Sequence, residues 1–243
     1  MAVRDRWTEN QGVRLHYLDG GGENDPPVSP LLVVPGASEA AEDWLDVIES
    51  LHPRRCLVLS LRGRGRSDAP ESGYGLEHHL SDIEAVIRDS AVNRIAVMGF
   101  SRGAAYALAY ATRYPETVAS LIIGDYPPYH SSLPSQWPEA FLATTWRGIP
   151  VRERMKAHAV HGIQRESTFV SLVESLPKVT CPVLIMRGGA KGAQLSEERS
   201  REYLQHLPDV RLELFPESGH ALWEPDFARY IDVIRAFLAQ TDG

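Results

Sequence analysis

Ser101 lies at the centre of a five-residue run, Gly99–Gly103 (GFSRG), whose composition suits a nucleophile. The run joins an apolar strand predicted over 94–100 to an alanine-rich helix predicted over 104–114. A serine on such a tight turn projects above the sheet, and the flanking glycines let neighbouring backbone approach closely. The helix start behind it offers free N–H groups to a developing oxyanion. The sequence therefore predicts nucleophilic catalysis by Ser101, with a helix N-cap serine as the alternative.

His220 is the histidine whose position suits a general base for that serine. It follows a strand predicted over 210–215 and precedes a helix predicted over 226–239. Parallel strands bring their carboxyl ends to one edge of a sheet, so a loop after the last strand can reach Ser101. The remaining histidines lie within predicted helices, in a long irregular segment, or alone. We predict a Ser–His pair at the carboxyl edge of the sheet.

Short apolar runs alternate with amphipathic stretches and would position these two residues. Strands are predicted at 13–18, 31–34, 56–61, 94–100, 118–125, 183–187 and 210–215. The alternation implies right-handed crossovers and a mostly parallel sheet with helices on both faces. It stops between Tyr126 and Val179, where prolines and aromatic residues lie on helix-like pieces. We expect an α/β core over 1–125 and 180–243 and a small helical lid over 126–179.

Four landmarks in this order resemble the α/β-hydrolase superfamily, and the resemblance runs over nearly the whole chain. They are the loop Pro35-Gly36-Ala37 with Trp44 nearby, the turn Arg62–Asp68, the Gly99–Gly103 run and Gly219-His220. The resemblance implies an eight-stranded, mostly parallel sheet flanked by helices, with the lid inserted after the sixth strand. It also implies serine esterase- or lactonase-like activity, with the backbone N–H groups of Ala37 and Arg102 forming the oxyanion hole. Proline stands at position 35, where the family usually has histidine, but the donors are backbone groups and are retained.

The acid that would orient His220 departs from the usual family pattern. In the family it usually follows the seventh strand, but the loop Arg187–Ala193 has Lys191 there, and lysine cannot accept the imidazole hydrogen bond. Some members supply the acid from the end of the sixth strand, where this chain has Asp125. We predict Asp125 as the acid. A Ser–His dyad, another carboxylate or an inactive relative remain alternatives.

Several residues could contact a substrate above Ser101. Aromatic side chains of the lid serve mainly to pack it onto the core, and a few would line a mostly apolar cavity. The predicted substrate-binding residues are Gly36, Tyr126, Tyr129, Trp137 and Trp146. Arg102 has two interpretations: it pairs with a substrate or lid carboxylate, or it points sideways towards a surface aspartate, which we favour here.

Composition limits the partners that this chain could bind. The formal net charge is −7, and neither nucleic acid nor an anionic membrane suits an acidic surface. The N-terminal residues contain no apolar secretory core, and no apolar run approaches bilayer length, so we expect a cytoplasmic protein. Its two cysteines have no metal-ligand spacing. We expect a small-molecule substrate, no metal and no organic cofactor.

The resulting functional prediction is a serine hydrolase that cleaves a small or medium carboxylic ester, lactone or thioester through an acyl-enzyme on Ser101. One alternative is a cofactor-free lyase or cyclase in which the Ser–His pair performs acid–base chemistry. Another is a non-catalytic relative that binds a small ligand, because Lys191 occupies the usual acid position. Resemblance of fold cannot choose among these, since function depends on the site.

Overall fold

The computed structural model describes residues 2–22 and 28–242 and contains an eight-stranded sheet. Its strands are β1 (Arg4–Asn10), β2 (Val13–Gly20), β3 (Leu31–Val34), β4 (Cys56–Leu59), β5 (Ile95–Phe100), β6 (Val118–Gly124), β7 (Val183–Gly188) and β8 (Val210–Phe215). They are ordered β1-β2-β4-β3-β5-β6-β7-β8. β2 pairs antiparallel with β1 and β4, and the remaining pairings are parallel. The predicted fold class is confirmed.

Eight α-helices accompany the sheet in the described part of the chain. They are α1 (Leu45–Ser50), α2 (Leu76–Asp89), α3 (Arg102–Arg113), α4 (Trp137–Leu142), α5 (Val151–Arg154), α6 (Ala157–Glu166), α7 (Glu197–His206) and α8 (Phe227–Thr241). A 3-10 turn over Ala41–Trp44 leads directly into α1. No helix among residues 2–22 and 28–242 combines the length and apolarity needed to cross a bilayer.

The central strands are buried on both faces because helices cover both sides of the sheet. All four residues of β3 are buried, and they alternate between two apolar cores. Leu32 and Val34 belong to the core that includes side chains of α2, α3 and α7. Leu31 and Val33 belong to the core that includes side chains of α1 and α8. This double burial explains why these strands are short, uninterrupted apolar runs.

Residues 126–179, which we call the insertion, lie between β6 and β7 and contain α4, α5 and α6. The insertion also has two antiparallel ladders of two residues each: Tyr129–His130 with Val170–Ser171, and Thr145–Trp146 with Ile149–Pro150. Arg147 and Gly148 form the turn of the second ladder with positive φ values of 49° and 76°, as tight hairpins require. The insertion contains helices, as predicted, and the two short ladders were not predicted. The division into core and lid stays a prediction.

The turn after β4 is held by a buried ion pair. Arg62 Nε and Nη2 donate to the two carboxylate oxygens of Asp82 in α2, each at 2.6 Å. Arg62 is 2% exposed and Asp82 is fully buried. The other two arginines of the turn are also engaged, since Arg64 donates to backbone carbonyls and Arg66 pairs with Asp5. The segment therefore has the contacts of a structural turn.

Replacing Asp82 with asparagine would leave the Arg62 guanidinium buried without a counter-charge. We expect the free energy of unfolding in urea to fall by about 3 kcal/mol. Asp232→Asn is the control, because Asp232 is 70% exposed and pairs with Arg235 on the surface. The control should unfold like the wild type. An Asp82→Asn variant as stable as the control would contradict this assignment.

The approach of α3 to β3 requires a glycine at position 103. A Cβ atom placed on Gly103 would lie 2.2 Å from the carbonyl oxygens of both Val34 and Pro35. These are backbone atoms of a central strand and its following loop, which cannot move without disturbing the sheet. The glycine therefore sets how closely the start of α3 sits against the loop at 35–37.

Gly103→Ala should lower the free energy of unfolding by about 2 kcal/mol or more, because the new methyl group overlaps fixed backbone. Gly75→Ala is the matched control: the nearest atoms to a Cβ there lie at 3.7 Å, an ordinary contact. Urea unfolding of the two variants should differ clearly. Equal stability would show that the α3–β3 approach can relax.

Candidate active site

Ser101 occupies the turn between β5 and α3 in a strained backbone conformation, with φ 53° and ψ −132°. Its N–H donates to the carbonyl of Gly124 at the end of β6 (2.9 Å), and its carbonyl accepts from Ala104 in α3 (2.8 Å). The first bond ties the turn to the end of the neighbouring strand β6, and the second ties it to the first turn of α3. The Ser101 Oγ atom is thereby aimed at His220, whose Nε2 lies 2.8 Å away.

His220 lies on the loop between β8 and α8 and connects the serine to a carboxylate. Its Nδ1 atom is 2.7 Å from Oδ2 of Asp125. An ionised carboxylate only accepts hydrogen bonds, so this contact places the proton on Nδ1 and leaves Nε2 free to accept from the serine hydroxyl. The Phe100 ring stacks against the imidazole with centroids 4.8 Å apart. Together these contacts fix both the tautomer and the plane of the ring.

Asp125 directly follows β6 and is completely buried. Besides His220, its carboxylate accepts three backbone N–H groups: those of Gly188 (3.2 Å), Gln194 (2.7 Å) and Leu195 (3.2 Å). All three lie at the end of β7 or in the loop that follows it. The loop in which the family usually carries the acid thus supplies donors to a carboxylate from β6. Lys191 in the same loop is exposed.

The predicted oxyanion donors are the backbone N–H groups of Ala37 and Arg102. Ala37 and Arg102 both line the cavity above the serine. The Gly36 N–H is already bonded to Glu39 Oε2 (2.9 Å), and Arg64 Nε holds the Ala37 carbonyl (2.9 Å). The N–H of Arg102 is in the first turn of α3, where no intrahelical acceptor exists. The assignment of the Ala37 and Arg102 amides to the oxyanion stays a prediction, and both residues border the cavity.

A cavity of about 430 Å³ opens over this arrangement. Of the predicted substrate-binding residues, Gly36, Tyr126, Trp137 and Trp146 line it. Tyr129 does not. Its ring packs against Phe169 in the insertion (5.5 Å) and lies beneath the Arg199 guanidinium of α7 (5.7 Å), so the structure does not bring it to the cavity with the others.

Glu39 is a cavity residue that the sequence analysis missed. Its side chain is buried and accepts from Gly36 N, from Trp146 Nε1 (3.0 Å) and from Arg147 Nε (3.1 Å). One donor comes from the loop after β3 and two come from the insertion. A glutamate in this loop carries no local signal of the two contacts to the insertion, because Trp146 and Arg147 are more than a hundred residues away in the chain.

The Arg102 side chain is also placed differently from the interpretation favoured by sequence. It is 3% exposed and points towards the insertion rather than to a surface aspartate. Nε donates to Tyr106 Oη (2.9 Å), Nη2 to His130 Nε2 (2.7 Å) and Nη1 to the carbonyl and hydroxyl of Ser131 (3.3 and 3.2 Å). The Arg102 side chain does not reach the surface because Tyr106 and residues of the insertion enclose its guanidinium.

Metal ligation has no support in the described residues. Across 2–22 and 28–242, no group of three or more histidine, cysteine, aspartate or glutamate side chains has the geometry to hold a metal ion. The two cysteines, Cys56 and Cys181, are buried thiols. Burial raises the pKa of the Cys56 thiol to about 12, which keeps it protonated.

Comparison with known proteins identifies the family and the fold to which this chain is similar. Residues 31–233 match the model of the alpha/beta hydrolase family. The chain is 27% identical to N-formylmaleamate deformylase from Pseudomonas putida, over 88% of each protein. It is 25% identical to serine hydrolase BPHL from Mus musculus, over 87% of this chain and 78% of that protein. A solved esterase from Exiguobacterium antarcticum has a TM-score of 0.80 at 20% identity, over 97% of this chain and 100% of the esterase.

The family model covers most of the chain, and the solved structure shares its fold from end to end. The resemblance predicted from the sequence motifs is confirmed. The chain belongs to the alpha/beta hydrolase family and is an enzyme of the hydrolase type.

Proposed function

We propose that this hydrolase cleaves small or medium carboxylic esters, lactones or thioesters through an acyl-enzyme on Ser101. The observation that carries the proposal is the hydrogen-bonded series from Asp125 through His220 to Ser101, with contacts of 2.7 and 2.8 Å. This series ends at a cavity large enough for a small acyl compound. Such a constellation activates a serine hydroxyl by removing its proton during attack.

In the first half of the reaction, Ser101 Oγ attacks the carbonyl carbon while His220 Nε2 takes the hydroxyl proton. The negative charge that develops on the carbonyl oxygen is stabilised by the N–H groups of Ala37 and Arg102. The imidazolium then gives its proton to the departing alcohol or thiol, and the acyl group remains on the serine. Asp125 holds Nδ1–H and stabilises the transient imidazolium charge.

In the second half, a water molecule takes the place of the leaving group. His220 accepts a proton from that water, and the resulting hydroxide attacks the acyl carbon. The tetrahedral intermediate collapses to the free acid as the imidazolium returns its proton to Ser101. The insertion would act as a cap that covers the acyl group, since Trp137 and Trp146 line the cavity from that side. Exclusion of bulk water strengthens the oxyanion contacts.

The deformylase from Pseudomonas putida widens the set of substrates worth testing. Its name refers to an N-formyl compound rather than to an ester. A substrate panel for this chain should therefore combine short-chain esters, lactones and thioesters with N-formyl amides. The same acyl-enzyme route serves all of these, because each presents a carbonyl carbon and a leaving group.

Labelling with a fluorophosphonate probe tests the nucleophile. We expect wild-type protein to be labelled and Ser101→Ala to lose both the label and hydrolysis of a 4-nitrophenyl ester. Ser135→Ala, at an exposed serine of the insertion, is the control and should label like the wild type. Folded wild-type protein that neither labels nor hydrolyses any member of the panel would favour the ligand-binding alternative.

Asp125→Asn tests the proposed acid. An amide at this position can donate to Nδ1 and favours the wrong imidazole tautomer, so kcat should fall by about 10³- to 10⁴-fold. Glu198→Gln is the control, because Glu198 is an exposed carboxylate of α7 that follows the usual acid loop. Circular dichroism should show both variants folded. Near-normal turnover in Asp125→Asn would instead support a dyad or a different acid.

A further inference from the structure

The Arg102 guanidinium is a buried cation at the wall of the cavity whose partners are all uncharged. They are the Tyr106 hydroxyl, the Ser131 carbonyl and hydroxyl, and the His130 ring. Arginine has five N–H donors, and these four acceptors leave the second N–H of Nη2 unused. Burying a charge is costly unless an opposite charge compensates it. These contacts satisfy four of the five N–H donors of Arg102 but leave its positive charge without a counter-charge.

The His130 ring, which the insertion places against Arg102, adds no opposite charge. Nδ1 of His130 lies 2.7 Å from the carbonyl of Thr168, which can only accept, so Nδ1 carries the proton and Nε2 accepts from Arg102. Burial, together with the Arg102 charge, lowers the pKa of His130 to about 4. The ring is therefore neutral across the physiological range and acts only as a dipole that fixes the guanidinium.

Other buried arginines in the described chain show what is missing at Arg102. Arg62 pairs with Asp82 at 2.6 Å, and Arg154 pairs with Asp43 at 2.8 Å. Arg64 is the one further case of a fully buried arginine that lacks a carboxylate among the described residues. Its partners are backbone carbonyls, the His79 ring and the Tyr106 hydroxyl, all of them uncharged. Burial is the main cause that lowers the pKa of Arg64, and the charge of Arg102 contributes. Two buried positive charges, those of Arg64 and Arg102, therefore contribute to the electrostatic potential on this side of the cavity.

The carboxylate of the cavity, Glu39, does not offset this charge. It is already paired with Arg147 at 3.1 Å and bonded to the Gly36 N–H. The side of the cavity formed by Arg102, Ser131 and Tyr126 is thus positive, and it also presents hydroxyl groups, with Tyr126 Oη 2.8 Å from Ser131 Oγ. The Tyr126–Ser131 bond uses one of the two hydroxyl protons and leaves the other free. A carboxylate can accept from that O–H and from the spare N–H of Arg102, and the positive charge of Arg102 attracts it.

We propose that the cavity takes substrates that carry a free carboxylate in addition to the scissile acyl group, and that this carboxylate pairs with the Arg102 side chain. The inference rests on the proposed acyl-transfer function and narrows its substrate class to half-esters and related monoacyl derivatives of dicarboxylic acids. Arg102 would then serve twice: its backbone N–H faces the oxyanion, and its side chain holds the remote carboxylate. The pairing supplies the missing counter-charge and orients the substrate with the acyl carbon over Ser101.

A matched pair of esters tests this inference. One is the 4-nitrophenyl half-ester of glutaric acid, and the other is 4-nitrophenyl 5-oxohexanoate, in which a neutral acetyl group replaces the carboxylate. With spontaneous hydrolysis subtracted, kcat/KM of the wild type should favour the anionic ester by about tenfold or more. In Arg102→Gln the ratio should fall to about one, and Arg102→Lys should retain part of the preference, because lysine keeps the charge but not the planar fork.

Arg113→Gln is the control, since Arg113 is an exposed residue in the last turn of the same helix. It should keep the wild-type ratio. If Arg102→Gln does not fold, competitive inhibition of the wild type by glutarate, weakening with added salt, tests the same anion contact. Equal kcat/KM values for the two esters in the wild type, with no inhibition by glutarate, would overturn the proposal.

Calorimetry with glutarate and the Ser101→Ala variant separates this inference from the proposed function. Glutarate binding that is lost in Ser101→Ala/Arg102→Gln supports the anion site even if no ester is cleaved. Hydrolysis of both esters without glutarate binding leaves the serine hydrolase intact and refutes the carboxylate contact. Failure of the carboxylate contact and failure of the hydrolase function can therefore be distinguished by glutarate binding and ester hydrolysis.

Discussion

The arrangement at the carboxyl edge of the sheet depends on one buried carboxylate. Asp125 accepts three backbone N–H groups from the end of β7 and its following loop, and it still has an oxygen for His220. Without those donors a fully buried aspartate would be costly to maintain. With them, four hydrogen bonds hold the carboxylate, and one of the four is to the imidazole of His220. The positions of β6, β7 and β8 in the sheet therefore determine where Nε2 of His220 lies relative to Ser101.

The sheet itself was largely predictable because burial on both faces leaves a plain sequence pattern. β3 and β8 have the predicted bounds, and the other predicted strands differ by a few residues at their ends. β1 was not predicted, since Arg4–Asn10 is an edge strand with mostly charged or exposed side chains and no apolar alternation. The two-residue ladders of the insertion were also missed, because so few residues cannot establish a periodicity.

The candidate site was predictable where a residue's place in the chain determines its place in space. Ser101, His220 and Asp125 each follow a parallel strand, so the topology alone brings them to one edge. Side-chain direction was not predictable. Tyr129 turns away from the cavity, Arg102 turns inward, and Glu39 bridges to Trp146 and Arg147, because each of these depends on how the insertion packs. Long-range packing of that kind has no local signature.

The loop after β7 touches the Asp125 carboxylate only through main-chain N–H groups. Any residue except proline can provide such a donor, so the side chains at 194 and 195 are free to vary as far as this contact is concerned. Lys191 is an example of this freedom. A cationic side chain stands where an acid is expected, yet it is exposed, and the three backbone N–H bonds to Asp125 are present. In homologous sequences that lack the acidic residue in this loop, an aspartate at the end of the neighbouring sixth strand can therefore provide the same carboxylate–imidazole contact.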